Sequence, residues 1–195
     1  NRQMVYGSHT RKRLNRPTDA TYHRATTTTT TMTTTTPWPM TRVPTPVYSL
    51  ATRDSMNIVT FATPVAIEPK RRFAIALYAD TRSHANFIVD GGPATLQVLR
   101  KDAHEGLIDL LGRTRADSID GKDGKLNLIR ARASTTRRET NGVEVLSDAL
   151  AVFDLEIMSV TNAGDHDVVI CDVTGWACGD EEEMQGKCLT TLDVV

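Results

Sequence analysis

The chain is 195 residues long with a formal net charge of −1, but the charge is unevenly spread: residues 1–53 hold 8 Lys/Arg and 1 Asp, which leaves 15 Lys/Arg (23 − 8) and 23 Asp/Glu (24 − 1) for the rest. A body of about −8 beside a leading segment of about +7 argues against a nucleic-acid footprint on the folded part, since such a footprint needs a basic face. No run approaches the roughly 18–20 consecutive apolar residues a membrane-spanning helix needs, so an integral membrane protein is not expected.

Residues 1–46 read as a basic, disordered Thr/Pro-rich tail. Between Ala25 and Pro37 stand only threonines and Met32. A tract of that kind has no period and buries no face. Pro37, Pro39, Pro44 and Pro46 then keep the chain extended. Three readings of the tail stay open: an organellar transit segment, rich in Arg and Thr and poor in acids; a plain linker; or translated repeat upstream of a start at Met32 or Met40. The compartment expected is the cytoplasm, or an organelle if the transit reading holds. Three cysteines, Cys171, Cys178 and Cys188, are an odd number with no common zinc spacing, which suits a reducing, intracellular setting. No metal site is expected.

The body is expected over 47–180, with 181–195 as a C-terminal tail. Residues 57–63 are rich in β-branched and aromatic types and predict one strand. Pro64 and Pro69 then bracket a turn. Residues 72–78 carry large side chains at Phe73, Ile75 and Leu77, the period of two of a strand with one face inward. Residues 81–89 predict a helix capped by Thr81, with Ala85, Ile88 and Val89 as its apolar stripe. Gly91, Gly92 and Pro93 end it, and 94–99 is the next strand. A second helix is expected over 103–111 through Ala103, Leu107, Leu110 and Leu111. Residues 113–142 are polar and broken by Gly121, Gly124 and Gly142, and read mostly as loop. Strands at 150–158 and 167–173 follow, joined by a turn-rich link, and the acidic run 180–183 reads as a solvated loop. Strands dominate, so the class is mainly β, and a closed barrel is favoured because closure removes exposed edges.

Four motifs carry a family resemblance. Asn57-Ile58-Val59-Thr60 with Ala62-Thr63-Pro64-Val65 resembles the flavin-binding strand of the flavin reductase-like, FMN-binding split-barrel family. Ala76 to His84 resembles its strand-to-helix turn, Ala94 to Leu99 a strand ending in Val-Leu, and Ala163-Gly164-Asp165-His166 its Gly-Asp-His turn. The order and spacing of the four carry the assignment; no single one is specific. The resemblance implies a six-stranded antiparallel split barrel of Greek-key type with a few inserted helices. It also implies a homodimer with FMN (FAD as the alternative) at the subunit interface, and NADH or NADPH as electron donor.

Carried over residue by residue, the resemblance assigns Asn57, Ile58, Val59, Thr60, Ala62, Thr63 and Pro64 to the isoalloxazine ring and ribityl chain. Thr81, Arg82, Ser83 and His84 go to the phosphate. The chemistry agrees: a dianion needs free N–H groups at a helix start, hydroxyls and a planar cation. His166 is the expected catalytic residue, donating to the cofactor or positioning the nicotinamide. The competing function readings are a flavin-binding module without reductase activity, and a split barrel holding haem or pyridoxal phosphate instead.

Overall fold

In the computed structural model, residues 43–115, 119, 124–179 and 187–194 are described. The threonine tract, Met32, Met40 and the acidic run at 180–183 lie outside them. The described residues belong to the unit 37–195.

Among the described residues nine strands form: β1 Tyr48–Thr52, β2 Met56–Val59, β3 Ala62–Ala66, β4 Arg72–Tyr78, β5 Ala94–Val98, β6 Thr135–Arg137, β7 Glu144–Leu146, β8 Ala151–Asn162 and β9 His166–Cys178. Seven of them make one antiparallel sheet in the order β2-β1-β5-β8-β9-β4-β3, while β6 and β7 pair separately as a hairpin. The two ends of that order, β2 and β3, are separated in the chain only by Thr60 and Phe61. The sheet must therefore curl until its edges meet at this corner, which makes it a split barrel. The resemblance implies six strands. The seventh arises because the single strand expected over 57–63 is two: β2 pairs with β1, and β3 pairs with β4. No glycine or proline marks the break. Pro64, expected in a turn, sits within β3 opposite Phe73, where an edge strand tolerates the missing N–H.

Two cores follow from the alternation of side chains along the strands. Phe73, Ile75 and Leu77 of β4 point inward, as their period of two predicts. They meet Tyr48, Leu50, Leu96, Leu155, Val169 and Cys171 in the barrel lumen. Burial pushes the Cys171 thiol up to about 12, so it packs as a small apolar group. The second core lies on the barrel's outer side. There Val47, Ala51, Met56 and Leu99 are covered by Leu107, Leu110, Leu111, Leu126, Ile129, Val143, Val145 and Leu189.

The helices carry the corrections. The first runs from α1 (Arg82–His84) into a turn with i→i+5 bonding over Ala85–Val89, where the Asp90 N–H donates to the Ala85 carbonyl at 2.9 Å. The wider turn rotates the buried face onto Ser83, His84, Asn86 and Phe87, and the expected stripe residue Val89 is exposed. Gly91 closes the segment at φ +62°, a left-handed conformation glycine adopts without cost. The second helical stretch, with α2 at Lys101–His104, reaches Arg113 and buries Leu107, Leu110 and Leu111 as expected. Residues 113–142, read mostly as loop, also hold α3 (Gly124–Arg130) and β6, and with β7 just beyond them they supply Leu126, Ile129, Val143 and Val145 to the outer core. The expected boundary at 180 also moves. Residues 187–194 return to the body, where Leu189 is fully buried and the Leu189 N–H donates to the Leu99 carbonyl at 2.9 Å.

Candidate functional site

At the corner where the barrel splits, a cleft of about 360 Å³ opens. One wall is Asn57, Ile58, Val59, Thr60 and Phe61; a second is the end of β4 with Ala76, Leu77 and Tyr78; the floor is the turn Asp80, Thr81, Arg82 and Ser83. Leu111, Gly112, Thr114 and Arg115 form a third wall, and His166 stands at the rim. Two regions predicted from distant parts of the sequence, 57–60 and 81–83, thus share one cavity.

Ser83 is the informative residue on the floor. It is 1 % exposed, and its hydroxyl has no hydrogen-bond partner among the described residues. A buried hydroxyl in that condition costs about 1–3 kcal/mol unless something satisfies it. Beside it the helix begins. Thr81 caps it by accepting the His84 N–H at 3.2 Å, and the Thr81 hydroxyl donates to the Tyr78 carbonyl at 2.9 Å. The Thr81 hydroxyl is therefore committed to the turn, contrary to the expectation that it donates to a ligand. The N–H groups of the first helical turn stay outside the helix's own bonding. Arg82 adds positive charge, aimed by Asp54 at 3.5 Å; Asp54 in turn accepts from Asn86 Nδ2 at 2.6 Å. Arg115 clamps the third wall to the turn by donating to the Asp80 carbonyl at 2.9 Å.

His84 is not on this floor. Its ring is buried and turned away, with Nε2 2.8 Å from Asp167 Oδ2. That bond comes first among the causes holding the Asp167 carboxyl below its ordinary range. Ala62, Thr63 and Pro64 also lie outside the cleft. Past the corner, β3 runs along the sheet edge, and Thr63 and Pro64 face solvent.

His166 opens β9 opposite Tyr78. Its ring meets Phe61 and Tyr78 edge-on, with centroids 5.9 and 5.3 Å away. His166 Nδ1 lies 2.8 Å from Asp165 Oδ1, and this bond holds the Asp165 carboxyl below the usual carboxylate range. The cleft mouth is consequently aromatic, although Phe61 itself is 64 % exposed.

Four contributors escaped the sequence reading. Phe61 falls between two quoted motif segments and Tyr78 inside another, but an aromatic residue in a strand reads as core. Arg115 and Lys125 fall in the stretch read as loop. Lys125, on α3, is fully buried behind the wall and donates to Asn57 Oδ1 at 2.5 Å and to the Leu111 carbonyl at 2.9 Å. Burial pushes its amino group down to about 8. Among the described residues no His/Cys/Asp/Glu group is arranged to hold a metal, and no helix is long and apolar enough to cross a membrane.

The antiparallel split barrel with its corner cleft defines the class of protein. The family described as "Flavin reductase like domain" matches residues 40–190, and this chain belongs to that family. Among solved structures it is similar to a candidate flavin reductase of Haemophilus somnus 129PT, at 19 % identity over 80 % of this chain and 92 % of that one, with a TM-score of 0.64. It is also similar to the FMN-binding protein from Thermus thermophilus with bound p-hydroxybenzaldehyde (18 %, 80 % and 85 %, 0.63). A third likeness is to the Streptomyces globisporus C-1027 NADH:FAD oxidoreductase SgcE6 in complex with NAD and FAD fragments (15 %, 72 % and 79 %, 0.60). At these identities the likenesses speak for the fold. No curated protein matches the chain.

Proposed function

We propose that the cleft binds FMN and that the protein is a flavin reductase drawing on NADH or NADPH. The observation that carries this reading is the Ser83 hydroxyl: buried, unpartnered, and set at a helix start beside Arg82 in a cleft walled by β2. Those groups fit a phosphate, which offers acceptor oxygens to the hydroxyl and to the helix start, and negative charge to the guanidinium. FAD, which carries a pyrophosphate where FMN has a phosphate monoester, is the alternative ligand.

The chain's part in the reaction is binding, orientation and exclusion of water. Ser83, Arg82 and the first-turn N–H groups anchor the charged end. Asn57 to Thr60 run along the uncharged part. Phe61 and Tyr78 cover the mouth and keep water away, and His166 stands between them to guide a second molecule against the first. A bound flavin would supply a two-electron acceptor for hydride from the reduced nicotinamide. The gain comes mainly from holding donor and acceptor together, which requires approach to about 3–3.5 Å.

We further propose that the protein works as a homodimer with the cleft near the subunit boundary. Phe61, Val65, Ile67, Met158 and Val160 are all exposed, and exposed large apolar side chains are what a subunit contact covers. The test of the reductase reading is direct. The purified protein is examined for flavin absorbance, then assayed for NADH and NADPH oxidation with added FMN. Oxidation faster than with free FMN supports the enzyme. Flavin binding without that acceleration leaves a binding module, and a haem spectrum ends the reading.

A further inference from the structure

We infer that Lys125 is a positioning residue, whose amino group locks the Asn57 side-chain amide with its NH₂ turned to the cleft, so that Asn57 recognises acceptor atoms on the uncharged part of the ligand. The inference rests on the flavin reading above and adds to it a residue and a polarity.

The geometry carries it. Lys125 is 2 % exposed, yet its two bonded partners are both neutral oxygens, Asn57 Oδ1 at 2.5 Å and the Leu111 carbonyl at 2.9 Å. A buried amino group without a carboxylate is costly, and such groups concentrate at functional sites. An ammonium can only donate, so the Asn57 atom facing it must be the oxygen. That fixes which way the amide points, a matter that side-chain shape alone leaves undetermined. Both Nδ2 hydrogens are then left over. Asn57 lines the cleft, and its Nδ2 has no hydrogen-bond partner among the described residues. Its backbone is held in β2 opposite Leu50, and the bond from Lys125 holds the side-chain amide.

The second bond gives the arrangement reach. Leu111 lines the same cleft, so one amino group holds two of its walls in register, β2 and the helical stretch ending at Arg113. The ligand class this suits carries carbonyl or ring-nitrogen acceptors on a neutral, planar head. That is a chemical demand separate from the phosphate demand made by Ser83 and Arg82.

The experiment compares FMN and riboflavin, which differ only in the phosphate. Dissociation constants for both are measured with wild type, K125M, K125R, N57L, S83A and the K125M/N57L double variant. The expected result is that K125M weakens FMN and riboflavin alike, by about tenfold, and leaves their affinity ratio unchanged. S83A changes that ratio. N57L matches K125M, and the double variant loses no more than either single one, because the two residues act as a unit. K125R, also donor-only, restores binding to within about threefold. Should K125M fail to fold, K125R and N57L carry the comparison. Wild-type riboflavin affinity in K125M, a loss confined to FMN, or full additivity in the double variant would overturn the inference while leaving the flavin reading intact. Absence of any flavin binding by wild type would overturn that reading, and this one with it.

Discussion

Ser83 gives the sharpest prediction at the scale of single residues, because its two consequences have opposite signs. In the empty protein its hydroxyl is buried and unsatisfied, so S83A removes a cost and should leave the thermal midpoint unchanged or higher. In the complex the hydroxyl meets an anion, so S83A should weaken FMN by about tenfold or more, the worth of a hydrogen bond to a charged group. Riboflavin binding should not change. A calorimetric scan and a flavin titration read the two arms. Lys125 makes a prediction about pH. Its folded value, pushed down to about 8, lies below the roughly 10.4 of an unfolded lysine. Between those values the unfolded chain holds the extra proton, so this group's contribution to stability rises with pH across that window. Cys171, raised to about 12, works the other way above about 9, since the unfolded thiol ionises first. The difference between wild type and K125M isolates the lysine: denaturant unfolding should show K125M gaining relative stability at pH 7, with the gap closing toward pH 10. A gap that does not vary with pH would mean that Lys125 is not desolvated.

At the scale of elements, the β6–β7 hairpin is tied to the barrel through one carboxylate. Asp154 of β8 accepts from Arg138 at 2.7 Å, Thr140 at 2.6 Å, Thr95 at 2.9 Å and Asn141 at 3.1 Å. Gly175 opposite leaves it room, for a Cβ there would stand 2.9 Å from Asp154 Oδ2. Burial alone would raise the Asp154 carboxyl, but the bonds from Arg138, Thr140 and Thr95 outweigh it and hold the group below its ordinary range. Its stabilising contribution is present above about 3.9, the unfolded value, and is lost as pH falls through the folded one. D154A strands the Arg138 guanidinium, and should destabilise by about 3 kcal/mol in denaturant titrations at neutral pH. D154N should flatten the acid limb of the stability curve. None of this was legible beforehand. The hairpin begins in the polar, glycine-broken stretch and ends just past it, and its apolar residues, Val143, Val145 and Leu146, are too few to set a period. Elements with long alternation were legible: Phe73, Ile75 and Leu77 announced β4 and its inward face. The corner at Thr60 and Phe61 was not, since it is made by barrel closure, a long-range event acting on residues that all favour strand. The site divides the same way. Residues 57–60 and 81–83, which motif order marks, line one cleft. His84 was misplaced because sequence does not show that Asp167, eighty-three positions on, claims its ring.

The molecule as a whole presents an apolar surface that the barrel's own topology explains. β3 is an edge strand, and edges with exposed large side chains invite pairing with another chain. Val65, within β3, is half exposed, and Ile67, just past its end, is 72 % exposed. Met158 and Val160, on the far half of β8, add to the same load. A second copy seated on β3 would cover Val65 and Ile67, and it would approach the mouth formed by Phe61, Tyr78 and His166. Subunit association and flavin binding are then coupled, each raising the apparent affinity of the other by the same factor. Sedimentation velocity of wild type should accordingly give a dimer, and V65E/I67E a monomer, because two carboxylates in an apolar contact cannot be desolvated without a partner. The monomeric variant should keep its thermal midpoint in the absence of flavin within a few degrees, since neither side chain belongs to a core, yet bind FMN more weakly. Added FMN should shift the variant's residual self-association upward. A wild-type monomer at all accessible concentrations, or a V65E/I67E monomer with unaltered FMN affinity, would separate the cleft from the boundary and leave each protomer to hold its flavin alone.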